Sequence, residues 1–258
     1  MLELIQNLIR KNIVLYYFLR KIINSRFFIN FYRPELKILS KTKYKIKFVD
    51  IGSNDGIFVN FIISKFSEKI NKIYIIEPIN HLNTKLKLKF RKHRNIKIIK
   101  CLLSDKRKKE KIFIPYFKIF KIIFTLSGYA SNKVSSVKFD LKQYFSEKLI
   151  KERIFFKYEN IQTKKLDDLL INPNFIKIIM AGCQYDILKG SEKTIKKNNP
   201  IIYLNQRSDK VEKYLSKFGY EKYIYNTSLK KIFKLKKFSK KHHVVFFISK
   251  FTLNRLFI

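Results

Sequence analysis

A chain of 258 residues is long enough to bury the core of one α/β domain, and its 57 Lys and Arg against 19 Asp and Glu leave a net charge of +38. That charge is spread along the whole chain rather than gathered in one block, so it predicts non-specific polyanion binding at low salt without marking a defined site. Cys101 and Cys183 lie in apolar runs, which excludes a disulfide framework and points to a reducing, cytoplasmic setting; neither has metal-ligand spacing to His81, His93, His242 or His243, so no metal site is expected.

Residues 1–45 read as an N-terminal helical extension. The apolar start is broken by Arg10, Lys11, Arg20 and Lys21, and the run Ile13–Leu19 is too short to span a bilayer. No small-residue cleavage site follows, so no signal peptide is expected. Leu2, Ile5, Leu8 and Ile9 fall on one helical face. Two roles fit that face: docking on the domain, or peripheral contact with anionic lipid at the inner face of the membrane.

From residue 46 to residue 258 the pattern is that of a single α/β domain. Phe48, Val49 and Ile51 form a buried strand, with Asp50 near its carboxyl end. Gly52-Ser53-Asn54-Asp55-Gly56 is a turn, and Phe58, Phe61 and Ile62 then recur at helical spacing. A glycine turn between a strand and a helix lets a ligand approach the backbone at a helix N-terminus, and open α/β sheets bind ligands at strand carboxyl ends. The spacing Gly52-x-x-x-Gly56 is not the dinucleotide pattern. Ile73–Glu77 reads as a second strand ended by Pro78, 81–90 as a helix, and Ile96–Leu103 as a third strand before Ser104-Asp105. Strand and helix in alternation argue for a parallel sheet.

Residues 106–165 break that rhythm and read as an inserted region with some strands, of the kind that sets substrate choice. Alternation returns with a strand at Ile176–Met180, one helix over Asp186–Lys197, a strand at Pro200–Leu204 and a helix over Asp209–Phe218 capped by Gly219. Tyr223–Tyr225 and Val244–Ile248 are expected to pair as antiparallel edge strands across the basic stretch Leu229–Lys241.

Five segments in order resemble one family, the FkbM-type S-adenosylmethionine (SAM)-dependent methyltransferases: FVDIGSNDG at 48–56, IYIIEP at 73–78, LLSD at 102–105, KKLDDLL at 164–170, and FIKIIMAGCQYDILKGSEKTIKKNNPIIYLN at 175–205. The resemblance implies a Rossmann-like, doubly wound, mostly parallel sheet of the class I SAM methyltransferase type, with SAM as cofactor. It implies that Asp50 and the turn Gly52, Ser53, Asn54, Asp55 and Gly56 pass the methionine part of SAM. Glu77 would accept hydrogen bonds from the ribose hydroxyls, and Asp105 would lie near the adenine. It implies O-methyl transfer to a sugar or another polar small-molecule or glycan acceptor.

The chain departs from the family at the fourth strand, where the family reads approximately K-I-D-x-E-G-x-E. Ile179, Ala181 and Gln184 hold the acidic positions, and Asn205 ends the fifth strand where the family commonly has a glutamate. Isoleucine and alanine cannot take a proton, and glutamine and asparagine do not act as bases near neutral pH. No catalytic residue is assigned. Two other classes stand beside the methyltransferase: an inactive binding or scaffold module on the same fold, suggested by the missing acids, and a basic nucleic-acid-binding protein or nucleic-acid methyltransferase, suggested by the +38 charge. Against the latter, no aromatic-rich basic strand motif or base-flipping motif is evident.

Overall fold

The computed structural model describes residues 11–23, 34–180, 182–204, 208–226, 229, 231–235 and 245–257. Leu2, Ile5, Leu8, Ile9, Ala181 and Asn205 lie outside the described residues. Strands run in chain order β1 (Ile46–Ile51), β2 (Ile70–Ile76), β3 (Ile96–Ile99), β4 (Leu102–Leu103), β5 (Lys109–Ile119), β6 (Ile122–Thr125), β7 (Phe155–Lys164), β8 (Phe175–Ile178), β9 (Ile201–Leu204), β10 (Tyr220–Asn226), β11 (Lys231–Lys234) and β12 (Val245–Ser249). The chain divides into two compact units.

The larger unit comprises Arg33–Lys108, Gln162–Ile179 and Gln184–Ile258. It holds an eight-stranded sheet in the order β11-β10-β12-β9-β8-β1-β2-β3. Strands β3, β2, β1, β8 and β9 are mutually parallel, and β12 runs antiparallel to both β9 and β10. The chain moves one way from β1 to β2 and β3, then returns to place β8 on the other side of β1. Right-handed crossovers in opposite directions put their helices on opposite faces, so the sheet is doubly wound, with its switch point between β1 and β8.

The central strands are apolar because both faces are covered: Phe48, Val49, Ile51, Ile73, Ile75, Ile176, Ile178, Ile202 and Tyr203 are all buried. An aromatic row crosses the sheet. Phe48 packs on Phe175 with ring centroids 5.4 Å apart, Phe175 on Tyr203 at 6.4 Å, and Tyr203 on Phe246 at 5.2 Å. The helix Ile57–Phe66 buries Phe58, Val59, Phe61 and Ile62, the face that the spacing predicts. The expected antiparallel pairing near the carboxyl end is present, with Tyr220 to Tyr223 opposite Ser249 to Phe246.

Three expectations are corrected. The apolar run 96–103 is two strands: β3 pairs with β2, while Leu102 and Leu103 pair with Thr163 and Lys164. Continuous hydrophobicity carries no mark of where a strand changes partner. Residues 186–197 form two helices, Gln184–Lys189 and Glu192–Asn198, rather than one. The break falls at Gly190, where a Cβ would sit 2.0 Å from the Ser104 carbonyl oxygen. Asp167 then caps the second helix, accepting from the N–H groups of Lys193 (3.1 Å) and Thr194 (2.8 Å) and from the Thr194 hydroxyl (2.7 Å). The basic stretch before β12 contains β11, paired antiparallel with β10.

The smaller unit comprises Lys109–Ile161, Met180–Cys183 and Met1–Tyr32 in its described part. It contains two helices that the residue pattern did not reveal, Val134–Lys142 and Glu147–Arg153, beside the β5–β6 hairpin. Its core gathers Ile13, Tyr16, Phe117, Leu126, Tyr129, Val137, Leu141 and Phe145, so the helix Ile13–Ile23 is packed into this unit. No helix among the described residues is long and apolar enough to cross a membrane.

Replacement of Gly190 by alanine is expected to destabilise the protein by about 3 kcal/mol, because the obstacle is backbone rather than a side-chain tip. Urea denaturation of the Gly190→Ala variant measures it.

Candidate functional site

The carboxyl ends of β1, β2 and β8 meet at the switch point, where Asp50 stands in register with Lys177 on the neighbouring strand. Lys177 is the single charge of β8 and Asp50 the single buried charge of β1, whose other charged residue, Lys47, is exposed; the pair is almost wholly buried, at 0 % exposure for Asp50 and 4 % for Lys177. They form a salt bridge through Asp50 Oδ1 and Lys177 Nζ. The other carboxylate oxygen accepts the Ser53 hydroxyl at 2.8 Å. The Lys177 ammonium also lies 5.0 Å from the centre of the Phe58 ring, so the helix after the turn covers the pair.

The turn is tightly wound. Gly52, Asn54 and Gly56 all have positive φ, at 74°, 55° and 72°. Gly52 donates its N–H to the Ile76 carbonyl at 3.0 Å, and Gly56 donates to the Ser53 carbonyl at 3.0 Å. The sequence suggests that Gly56 admits a ligand, but the space beside it is already taken. A Cβ there would lie 2.6 Å from Leu86 Cδ2 and 2.8 Å from the Phe90 ring, both from the element after β2. Gly56 therefore lets that element pack against the turn.

Glu77 closes the cluster. One oxygen of its carboxylate accepts the Asn54 N–H at 2.8 Å and the other accepts the Ile79 N–H at 3.1 Å, while its backbone carbonyl accepts the Asn83 amide at 3.2 Å. The residue is 3 % exposed, and burial pushes the carboxyl up to about 7, with the nearby Asp50 adding to the rise and the two backbone N–H groups and Lys177 opposing it.

The structure thus brings Asp50, Gly52, Ser53, Asn54, Gly56 and Glu77 into one bonded cluster. The other two candidates stand outside it. Asp55 is exposed and accepts from the Ile57 N–H at 3.3 Å. Asp105 is paired with Lys189 at 2.9 Å, which holds its carboxyl below the ordinary range. Lys177 was not singled out from the residue pattern as a site residue. The signal was present in the sequence: a lone lysine in FIKI and a lone aspartate in FVDI must neutralise each other if both strands are buried.

Ile179 follows β8 directly, half-buried, with its N–H bonded to the Ile51 carbonyl at 3.1 Å. Gln184 is buried at the start of its helix. Of the nearby acids, Asp167 and Asp186 are accounted for by helix N-termini and Asp168 by its ion pair with Arg107. Both cysteines are buried: the Cys101 thiol is pushed up to about 11 by burial, and Cys183 donates to Asn132 at 3.3 Å. No group of three or more His, Cys, Asp or Glu side chains among the described residues is placed to hold a metal ion.

A family model described as the methyltransferase FkbM domain matches residues 50–222. No curated protein matches. Among solved structures, the FkbM methyltransferase of Methylobacillus flagellatus KT aligns over 79 % of this chain at 15 % identity with a TM-score of 0.47; the chain spans only 43 % of that protein's length. The precorrin-6y C5,15-methyltransferase of Geobacter metallireducens aligns over 83 % of this chain and 85 % of its own, at 15 % identity and a TM-score of 0.39. TrmK of M. capricolum, solved with S-adenosyl-homocysteine, aligns over 84 % of this chain and 66 % of its own, at 10 % identity and a TM-score of 0.36.

Two outcomes follow from the buried charges. Lys177→Met leaves Asp50 buried without its cation and is expected to cost about 3–5 kcal/mol, most of it recovered by adding Asp50→Asn; a double-mutant cycle in urea measures both. Glu77 has a folded pKa above its unfolded one, so its stabilising contribution is complete below about pH 4.5 and is lost as pH rises through about 7. The loss amounts to about 3 kcal/mol. Unfolding curves from pH 4 to 8 are expected to show it for the native chain and not for Glu77→Gln.

Proposed function

This chain belongs to the FkbM methyltransferase family, and from that premise we propose that it holds S-adenosylmethionine at the Gly52–Gly56 turn and Glu77 for transfer of a methyl group to an oxygen of a sugar or another polar small molecule. The observation that carries this reading is the state of Glu77. A carboxylate has about four acceptor positions. The Asn54 and Ile79 N–H groups occupy two and fix the orientation of the group. Those left over suit the two hydroxyls of a ribose, and a carboxyl this deeply buried is otherwise a cost to the fold.

S-adenosylmethionine supplies an electrophilic methyl group on a sulfonium. The residues of this chain do the rest. The turn after β1 offers backbone groups to the methionine part, and Asp50, neutralised by Lys177, keeps the turn in place. Asp105 offers adenine only the acceptor capacity that its ion pair with Lys189 leaves. An acceptor hydroxyl must also lose a proton, and here the chain provides little. Ile179 stands just after β8 where the family pattern has an acid, and Gln184 follows with an amide. A general base contributes roughly a hundred- to ten-thousand-fold in rate. That deficit favours a second reading, in which the chain holds the cofactor without turning it over.

Calorimetry with S-adenosylmethionine separates these readings from failure. Binding is expected to tighten as pH rises through about 7, because ribose hydroxyls bond the ionised carboxylate, and Glu77→Gln is expected to abolish that dependence. Absence of binding at near-millimolar cofactor overturns both readings. With binding established, turnover on a panel of glycan and small-molecule acceptors is compared with the Ile179→Asp, Gln184→Glu variant. A rise of roughly a hundredfold or more in the variant over a measurable native rate supports a slow enzyme, and turnover only in the variant supports the holding module.

A further inference from the structure

The β5–β6 hairpin ends in a tip built unlike an ordinary soluble turn. Its strands pair from Tyr116 with Thr125 to Ile119 with Ile122, which leaves Phe120 and Lys121 as a two-residue loop. The turns favoured for such loops hold their first central residue at positive φ, a position suited to glycine or asparagine. Phe120 occupies it, at φ 52°. A bulky aromatic residue there is strained, and this one is 97 % exposed, so its ring gains nothing from the fold in return. Ile122 and Ile123 beside it are exposed as well, at 62 % and 54 %. The base of the hairpin is firm: Phe117 stacks on Phe124 at 5.3 Å, and Tyr17 of the helix Ile13–Ile23 packs edge-on against both rings. Lys118 and Lys121 are exposed at the tip, and the sequence from 111 to 126 contains no acid.

We propose that this tip inserts into an anionic lipid surface, with Phe120, Ile122 and Ile123 entering the boundary between headgroups and acyl chains and Lys118 and Lys121 remaining among the lipid phosphates. Apolar side chains with lysines at the same level are the composition of an interfacial anchor. Three exposed side chains at one turn form a small apolar tip, not the broad patch that a stable protein partner needs. A second copy of the chain would bring the same lysines together, each on a molecule of charge +38. The inference is independent of cofactor binding.

The test uses the full chain with phosphatidylcholine vesicles, with and without phosphatidylserine. The native protein is expected to partition onto the phosphatidylserine vesicles and far less onto phosphatidylcholine alone. Phe120→Asn keeps the charge and places a residue suited to positive φ, so it is expected to melt no lower than the native protein while partitioning at least about tenfold more weakly. The Ile122→Thr, Ile123→Thr variant is expected to weaken binding similarly, and Lys118→Ser, Lys121→Ser to weaken it about tenfold and reduce its salt sensitivity. Full partitioning by both apolar-tip variants would mean charge attraction alone and overturn the proposal. So would a lipid-free, concentration-dependent dimer in the native chain that Phe120→Asn abolishes, which would make a second copy the occupant.

Discussion

The Asp50–Lys177 ion pair is the constraint around which the larger unit is arranged. Burying two charges at the centre of a sheet is costly unless they meet and their remaining hydrogen-bonding capacity is used. That requirement sets β8 beside β1 in one register, because a slip by one residue would turn one charge to the opposite face. It also reaches into the turn, since the second oxygen of Asp50 takes the Ser53 hydroxyl, and into the next helix, since Phe58 lies over the ammonium. One pair of residues thereby ties together the two strands that border the switch point, the turn after β1 and the helix that follows it.

Glu77 depends on that arrangement. Its carboxylate is gripped by the Asn54 N–H, which points toward it only because the turn runs through left-handed conformations at residues 52, 54 and 56. The field at Glu77 is mixed: Asp50 lies near enough to raise its pKa and Lys177 near enough to lower it. A buried carboxyl poised near neutrality is costly to the fold and useful to a ligand with hydroxyls to donate.

Acids are scarce in this chain, outnumbered three to one by Lys and Arg. Many have structural employment. Asp167 caps a helix, Asp168 is held by Arg107, Glu192 by Lys196, Glu221 by Lys234 and Asp105 by Lys189. At the end of β8 there is isoleucine. Ile179 follows that strand and Gln184 opens the next helix, and the nearest acid described after them, Asp186, lies in that helix's first turn.

The central strands, the turn, the first helix and the antiparallel edge were legible in the residues because each announces itself locally, through runs of Ile, Val and Phe, a cluster of turn formers, or apolar spacing along one helix face. The division of 96–103 between two partners and the two helices within 134–153 were not. Both are settled by what lies across from the segment, and no single run records its partner. Gly56 shows the same limit: its positive φ is legible from the turn, but the Leu86 and Phe90 side chains that make glycine necessary come from 30 and more residues away. The sequence by itself determined the parallel α/β class, the candidate turn and the acid at the end of β2, because those are local patterns of hydrophobicity and chemistry. Only the tertiary structure decided that Asp50 is spent on Lys177, that Asp105 stands apart with Lys189, and that Glu77 is the buried carboxyl with capacity left, because the state of a charge is fixed by the neighbours that folding brings to it.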